Sequence, residues 1–424
     1  VVGSVRCVEG TAASPFDGAG VRVAVLDTGI DATHPAFAGV NLIQKDFTGS
    51  GNGDGHGHGT HCAGTIFGRD VGGTRIGVAP GVTEALIGKV LGADGSGSAE
   101  MLFAAMNGAS VENARVISMS LGFDFPGLAD RLVTVNGLPV ALATSIALEA
   151  YRMNLRVFDS LMDLMRAKVD FNGGTVVCAA SGNESERQIA PDFEVSASVP
   201  AAALGVVSVG ALAEGANGLT VAPFSNTNPV VSAPGVGVVS AWPGGGLKSL
   251  NGTSMACPHV AGVTALWWQA LGAAGVVGPH DQVLVGRRVV GDFRLELVLG
   301  LDGHGHVAGG EAFARVGEPA VEIGRIGEAA AVLPDHQGAV LRRVKGSRGL
   351  DLWSDGGRDG EGEVGPGQDG RVGGGSIARR KQGEGSGDED EQGNPAQSSH
   401  GHTPFARGDV DSMTRRDGAR VRKV

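Results

Sequence analysis

The chain has 424 residues, 42% of them apolar, and a formal net charge of −11. That acidic balance argues against a nucleic-acid partner, which wants a basic face, and no apolar run reaches the ~20 residues that span a bilayer. The 73 glycines follow no G-X-Y period, which excludes collagen.

Four cysteines, Cys7, Cys62, Cys178 and Cys257, do not make a disulfide framework and are read as free, buried thiols. The opening "VVGSVRCVEG" lacks the charged and apolar regions of a signal peptide. From residue 21 to about 313, short β-branched runs alternate with helical patterns, the signature of a parallel sheet flanked by helices. The strand candidates are 21–27, 84–91, 114–122, 174–181, 205–212 and 228–235. Continuous apolar runs of this kind suit strands buried on both faces.

Helices are expected over 98–113 and 253–271. Between them Leu148, Tyr151, Leu155, Phe158, Met162 and Met165 recur at steps of three and four, one stripe of an amphipathic helix. After about residue 314 the chain turns Gly-rich and charged, as in "GEGSGDEDEQGNPAQSSH" (383–400). Such a segment cannot bury enough surface to offset an ordering entropy of ~1–2 kcal/mol per residue. A disordered tail is expected over 314–424, and the Arg-Gly-Asp at 407–409 is read as chance.

Chemistry concentrates in three places. "GDGHGHGTHCAG" (53–64) gathers Asp54, His56, His58 and His61, ligand types that zinc accepts; one of the histidines could equally carry a proton. "VAVLDTGID" (23–31) ends a strand on Asp27, and the carboxyl ends of parallel strands are where open α/β sheets build their sites. "NGTSMACPHVAG" (251–262) puts Ser254 at the start of a long helix. A serine hydroxyl needs a base to become a nucleophile, imidazole suits that work, and the imidazole needs a buried carboxylate to hold it. A triad uses Asp27 and Ser254 and needs one histidine, whereas a metal cage leaves both unexplained, so no metal is assigned and Asp54 and His56 are placed at the substrate-side rim. Pro258 has no N–H to bond the Ser254 carbonyl, so the first helical turn is expected to be distorted.

With "GHGTHCAGT" (57–65), "ISMSLG" (117–122) and "AASGNE" (179–184) in the same order, the sequence resembles the subtilisin-like serine peptidases, the subtilase family. The resemblance implies an α/β three-layer sandwich with a mostly parallel central sheet, forming a catalytic domain over 1–313. It implies a serine endopeptidase working through an acyl-enzyme, with Asp27 orienting, His58 as base and then acid, and Ser254 as nucleophile. Asn183 would donate to the oxyanion, Ser120, Leu121 and Gly122 would pair with an extended polypeptide substrate, and Ala179, Ala180 and Ser181 would wall the first specificity pocket. No cofactor is implied as required. Structural calcium at the 67–77 loop stays unassigned, because Asp70 is its one anionic ligand and calcium takes several carboxylates.

A monomer, secretion with an intracellular location as the alternative, and an inhibitory propeptide that is separate or removed are further family expectations. The stretch 123–146 exceeds the family pattern and, directly after the substrate-pairing residues, is expected to cover or narrow the cleft. Cys62, beside the catalytic motif, is noted as a site where oxidation could act. The competing reading is a catalytically silent scaffold on the same fold; intact Asp27, His58, Asn183 and Ser254 weigh against it.

Overall fold

β1 (Val23–Asp27) is buried along its whole length. Val23 and Val25 belong to one apolar core and Ala24 and Leu26 to another, as the two-residue period of a strand in a two-faced sheet requires. The computed structural model describes residues 14–169, 174–216, 218–274 and 420–424, all within one compact unit.

The remaining strands in chain order are β2 (Asn41–Asp46), β3 (Glu84–Lys89), β4 (Ser96–Ser98), β5 (Val116–Met119), β6 (Leu121–Gly122), β7 (Val176–Ala180), β8 (Val206–Gly215), β9 (Gly218–Val221), β10 (Val231–Pro234), β11 (Val238–Trp242), β12 (Gly246–Leu250) and β13 (Arg420–Lys423). The central sheet runs β10-β8-β7-β5-β1-β3-β2 with every pair parallel, and β9 adds to β8 antiparallel. Each of the six expected strands contributes to it, although the end of 114–122 separates as β6 into a second sheet. β1 has β3 on one side and β5 on the other, so chain order reverses there and opens a crevice at the carboxyl ends.

Helices cover both faces. α1 (His58–Phe67) lies on the side of the first core; α2 (Ala99–Val111), α3 (Phe125–Thr134) and α4 (Val140–Ala167) pack into the second. α5 (Thr253–Ala273) joins α1 on the first core. The result is the three-layer α/β sandwich with a mostly parallel sheet. No described helix is long and apolar enough to cross a membrane.

Several elements depart from the sequence expectations. The striped helix starts earlier, at Val140, and its buried line runs through Ala143, Ala147, Ala150, Asn154, Phe158, Met162 and Met165. Leu148 lies off that line and is exposed. The surplus 123–146 becomes α3 and the first turns of α4, joined through Phe125, Leu128 and Leu132. α5 runs on through Pro258 without a break. The tail expected over 314–424 lies outside the described residues except at 420–424, where β13 sits between β4 and β6, antiparallel to both.

Candidate active site

Asp27 is the last residue of β1 and 1% exposed. Its Oδ1 accepts from the Thr28 amide at 2.8 Å and faces His58 Nδ1 at 2.7 Å. His58 opens α1 and is itself 5% exposed. The carboxylate therefore holds one ring nitrogen and leaves Nε2 as the other, which fixes the tautomer when the ring is neutral.

Asp54 sets the position of α1. Its Oδ1 accepts from Thr28 Oγ1, the His56 amide and the Gly57 amide at 2.7–3.0 Å. Its Oδ2 accepts from the amide and hydroxyl of Thr60. Thr28 Oγ1 in turn accepts from the Gly59 amide at 2.9 Å, clamping the helix start to the end of β1. Two glycines make the approach possible: a Cβ on Gly59 would lie 2.2 Å from the Gly29 carbonyl oxygen, and Gly57, at φ +98°, would drive one into the Trp242 ring at 2.6 Å.

Asp54 is half-buried and acts as the anchor of the helix start, a role that the sequence expectation of a rim residue did not include. His56 is half-buried beside His58, with ring centres 6.2 Å apart. Burial, then the nearby Lys423 and His58 charges, hold its pKa below the usual histidine value. His61 points away: its Nε2 faces the carbonyls of Val238 and Lys248 at 3.1 and 3.0 Å, across the β11–β12 hairpin. Burial pulls its pKa to about 4, so it is neutral at pH 7.

The histidine-rich run therefore does not converge on a cage. Among the described residues, the one close His/Cys/Asp/Glu group is Asp27, His58 and Cys62. Asp27 and His58 already spend their facing atoms on each other. Burial, with Asp27 adding to it, raises the Cys62 thiol pKa well above its ordinary value, so the sulfur is protonated rather than a metal-binding thiolate. The same state and its full burial make Cys62 a poor target for oxidation. Cys178 and Cys257 are also free and buried, and Cys7 lies outside the described residues.

Ser254 is the second residue of α5 and 1% exposed. Cys62 Sγ lies 3.6 Å from the Ser254 carbonyl and 3.9 Å from His58 Nδ1, so it touches both residues. The Ser254 carbonyl, which Pro258 cannot serve, is taken by the Ser120 hydroxyl at 2.8 Å and approached by Cys62. External donors replace the missing helix bond, and the helix continues. The Ser254 hydroxyl donates to the Ser120 carbonyl at 3.1 Å.

Asn183 turns its Oδ1 toward Thr253, accepting from the amide at 2.9 Å and the hydroxyl at 3.0 Å. That leaves Nδ2, the donor end, for the cleft beside the first turn of α5, whose leading amides lack intrahelical partners. The loop is held from behind by Asn226, which is 1% exposed. Its Oδ1 accepts from the amides of Glu184 and Ser185, and its Nδ2 donates to the Ser181 and Ser196 carbonyls and to Glu184. Burial raises the Glu184 pKa. Asn226 and Thr253 are positioning residues that the motif reading missed, because their partners lie 30 or more residues away in the chain.

Leu121 and Gly122 form β6 and pair with Lys423 and Arg422 of β13. The Ser120 carbonyl also accepts from the Val424 amide at 3.4 Å. Ala179, Ala180 and Ser181 are completely buried: the first two split between the cores, and Ser181 bonds Val209 and Ser198 through its backbone. β13 lies in the cleft, and these burials are those of the occupied cleft. β4, on the far side of β13, is a second cleft wall that the sequence reading did not single out.

The family model described as the Subtilase family matches residues 18–282, more than half of the chain. The chain belongs to the subtilase family. A cuticle-degrading serine protease of Arthrobotrys oligospora is 34% identical over 271 residues, 60% of this chain and 53% of that protein. The major intracellular serine protease of Bacillus subtilis is 36% identical over 258 residues, 59% of this subtilase and 68% of the relative. Subtilisin Savinase of Lederbergia lenta is 36% identical over 257 residues, 59% and 76% of the two chains. This subtilase spans about half the length of the cuticle-degrading relatives it matches.

Proposed function

We propose that this subtilase is a serine endopeptidase acting on extended polypeptides through an Asp27-His58-Ser254 triad. The observation that carries the reading is the buried 2.7 Å Asp27–His58 contact on a helix that packs against the helix bearing Ser254. In the proposed cycle the Ser254 hydroxyl rotates from the Ser120 carbonyl toward His58 Nε2. His58 takes the proton as Ser254 Oγ bonds to the substrate carbonyl carbon, and Asp27 stabilises the imidazolium.

The carbonyl oxygen becomes an anion, met by Asn183 Nδ2 and by the Ser254 amide at the positive end of α5. Collapse expels the amine, which receives the proton from His58, and leaves an ester on Ser254. Water then attacks that ester, giving its proton to His58, and the acid product leaves as the proton returns to Ser254. Substrate would be held as an added strand between β4 and β6, a mode in which main-chain pairing supplies affinity with little demand on sequence.

The test is intact-mass spectrometry after treatment with a serine-directed fluorophosphonate, run beside casein cleavage. One adduct and cleavage are expected for the natural sequence, and neither for Ser254→Ala. A folded protein that takes no adduct and cleaves nothing overturns the proposal.

A further inference from the structure

Residues 420–424, Arg-Val-Arg-Lys-Val, lie where the proposed substrate strand belongs. On one side Arg420, Val421 and Arg422 pair with Ser98, Gly97 and Ser96 of β4; on the other Arg422 and Lys423 pair with Gly122 and Leu121 of β6. Two further main-chain bonds extend the ladder, from the Lys423 amide to the Gly95 carbonyl at 3.1 Å and from the Val424 amide to the Ser120 carbonyl at 3.4 Å. A short strand flanked on both edges has its backbone groups paired without a core of its own.

Its side chains add three anchors. Val421 is 0% exposed and belongs to the second apolar core, the one that also contains Phe123, Phe125 and Leu128 of the inserted region. Val424 packs on the first core, and its Cγ2 lies 3.2 Å from where a Cβ on Gly122 would stand. The Arg420 guanidinium reaches Asp94 at 3.0 Å and the Ser96 hydroxyl at 2.7 Å. Three of the five residues are basic in a chain of net charge −11, so long-range attraction also favours docking.

The direction is that of a substrate's acyl side. The Val424 amide shares the Ser120 carbonyl with the Ser254 hydroxyl. A Cβ placed on Gly252 would lie 3.5 Å from the Val424 carbonyl oxygen and 3.4 Å from Asn183 Nδ2. The segment thus sets the Val424 carbonyl beside Gly252, on the same side as the proposed oxyanion donor, and its amide on the carbonyl that the nucleophile also uses, with aliphatic side chains at the first and fourth positions before the reacting bond.

We infer that residues 420–424 are an intramolecular ligand of this cleft, which restrains the peptidase by competing with substrate for its acyl-side subsites. The inference rests on the proposed peptidase cleft for its consequence, but its binding half stands alone. A ligand tethered to its own site acts at an effective concentration that falls with linker length from the mM range, so its removal is read as easier substrate access.

The experiment compares the 424-residue chain, the same chain ending at Ala419, and Val421→Asp in the full chain. With a short peptide anilide as substrate, removing 420–424 should lower the apparent KM about threefold or more at unchanged kcat, and Val421→Asp should do the same without any deletion. In a second arm, fluorescein-labelled Arg-Val-Arg-Lys-Val is titrated by anisotropy into Ser254→Ala proteins. It should bind the chain ending at Ala419 and Val421→Asp more tightly than the full chain, and more tightly than a scrambled peptide. Equal KM in all three chains, or peptide binding equal to the scrambled control, overturns the inference. If no chain hydrolyses the anilide, the peptidase proposal fails, and the anisotropy arm still decides whether the segment is the cleft's ligand.

Discussion

Replacing Ser120 with Ala should lower folding stability by about 1–3 kcal/mol, the cost of leaving a buried acceptor without its donor. The acceptor is the Ser254 carbonyl. Pro258, four residues on, has no N–H for it, so it depends on Ser120 Oγ at 2.8 Å and on a Cys62 thiol at 3.6 Å. A thiol is a weak donor, and both serines are 1% exposed, so water does not substitute. The same logic gives a control: Pro258→Ala restores the amide that can bond the Ser254 carbonyl within the helix. In that background Ser120→Ala should cost less than about 0.5 kcal/mol, a coupling of about 0.5 kcal/mol or more between two residues far apart in sequence. Urea unfolding followed by tryptophan fluorescence gives all four stabilities, with Ser254→Ala present throughout to prevent self-digestion; that change keeps the carbonyl. An equal cost of Ser120→Ala in both backgrounds would refute the account of how α5 carries its proline.

Asn183→Ala should lower kcat by about 10²–10³ with little change in KM, because the lost amide donor acts on charge that exists in the transition state; a loss carried mainly by KM would assign Asn183 to ground-state binding instead. Acid stability should follow two buried imidazoles. His61 and His259 are each pulled to about 4 by burial, against 6.5 when exposed, so between those values the unfolded chain binds more protons and stability falls as pH falls. Each contributes about 1.4 kcal/mol per pH unit within that window and nothing above it. Urea midpoints measured from pH 7 to 4 should show this slope, reduced by one group's share in His259→Gln; a midpoint independent of pH over that range would refute it.

Much of the site is legible in the sequence because its chemistry sits in short local runs. Asp27 ends an apolar strand, His58 opens a helix after a glycine-rich turn, and Ser254 opens another; local pattern reports all three. The six central strands are legible for the same reason, being largely apolar and buried. β2 and β12 are not, since they lie at the margin with half-exposed or exposed, mixed side chains.

What the sequence by itself determined is the residue chemistry, the α/β class and the order of the strands along the chain. The family motif already pointed to His58 as the partner of Asp27, and only the tertiary structure decided what the neighbouring polar groups do, with His61 turned to the Val238 and Lys248 carbonyls. Asp54, a ligand candidate on spacing alone, is consumed by Thr28, His56, Gly57 and Thr60. Asn226 and Ser120 emerge as supports because their partners come from distant segments, and pairwise contacts of that kind leave no local period to read. The same holds for the last five residues. Their composition reads as solvated tail, but β4 and β6 offer two unpaired strand edges around an apolar pocket, and a strand is stabilised by the edges it meets as much as by its own sequence.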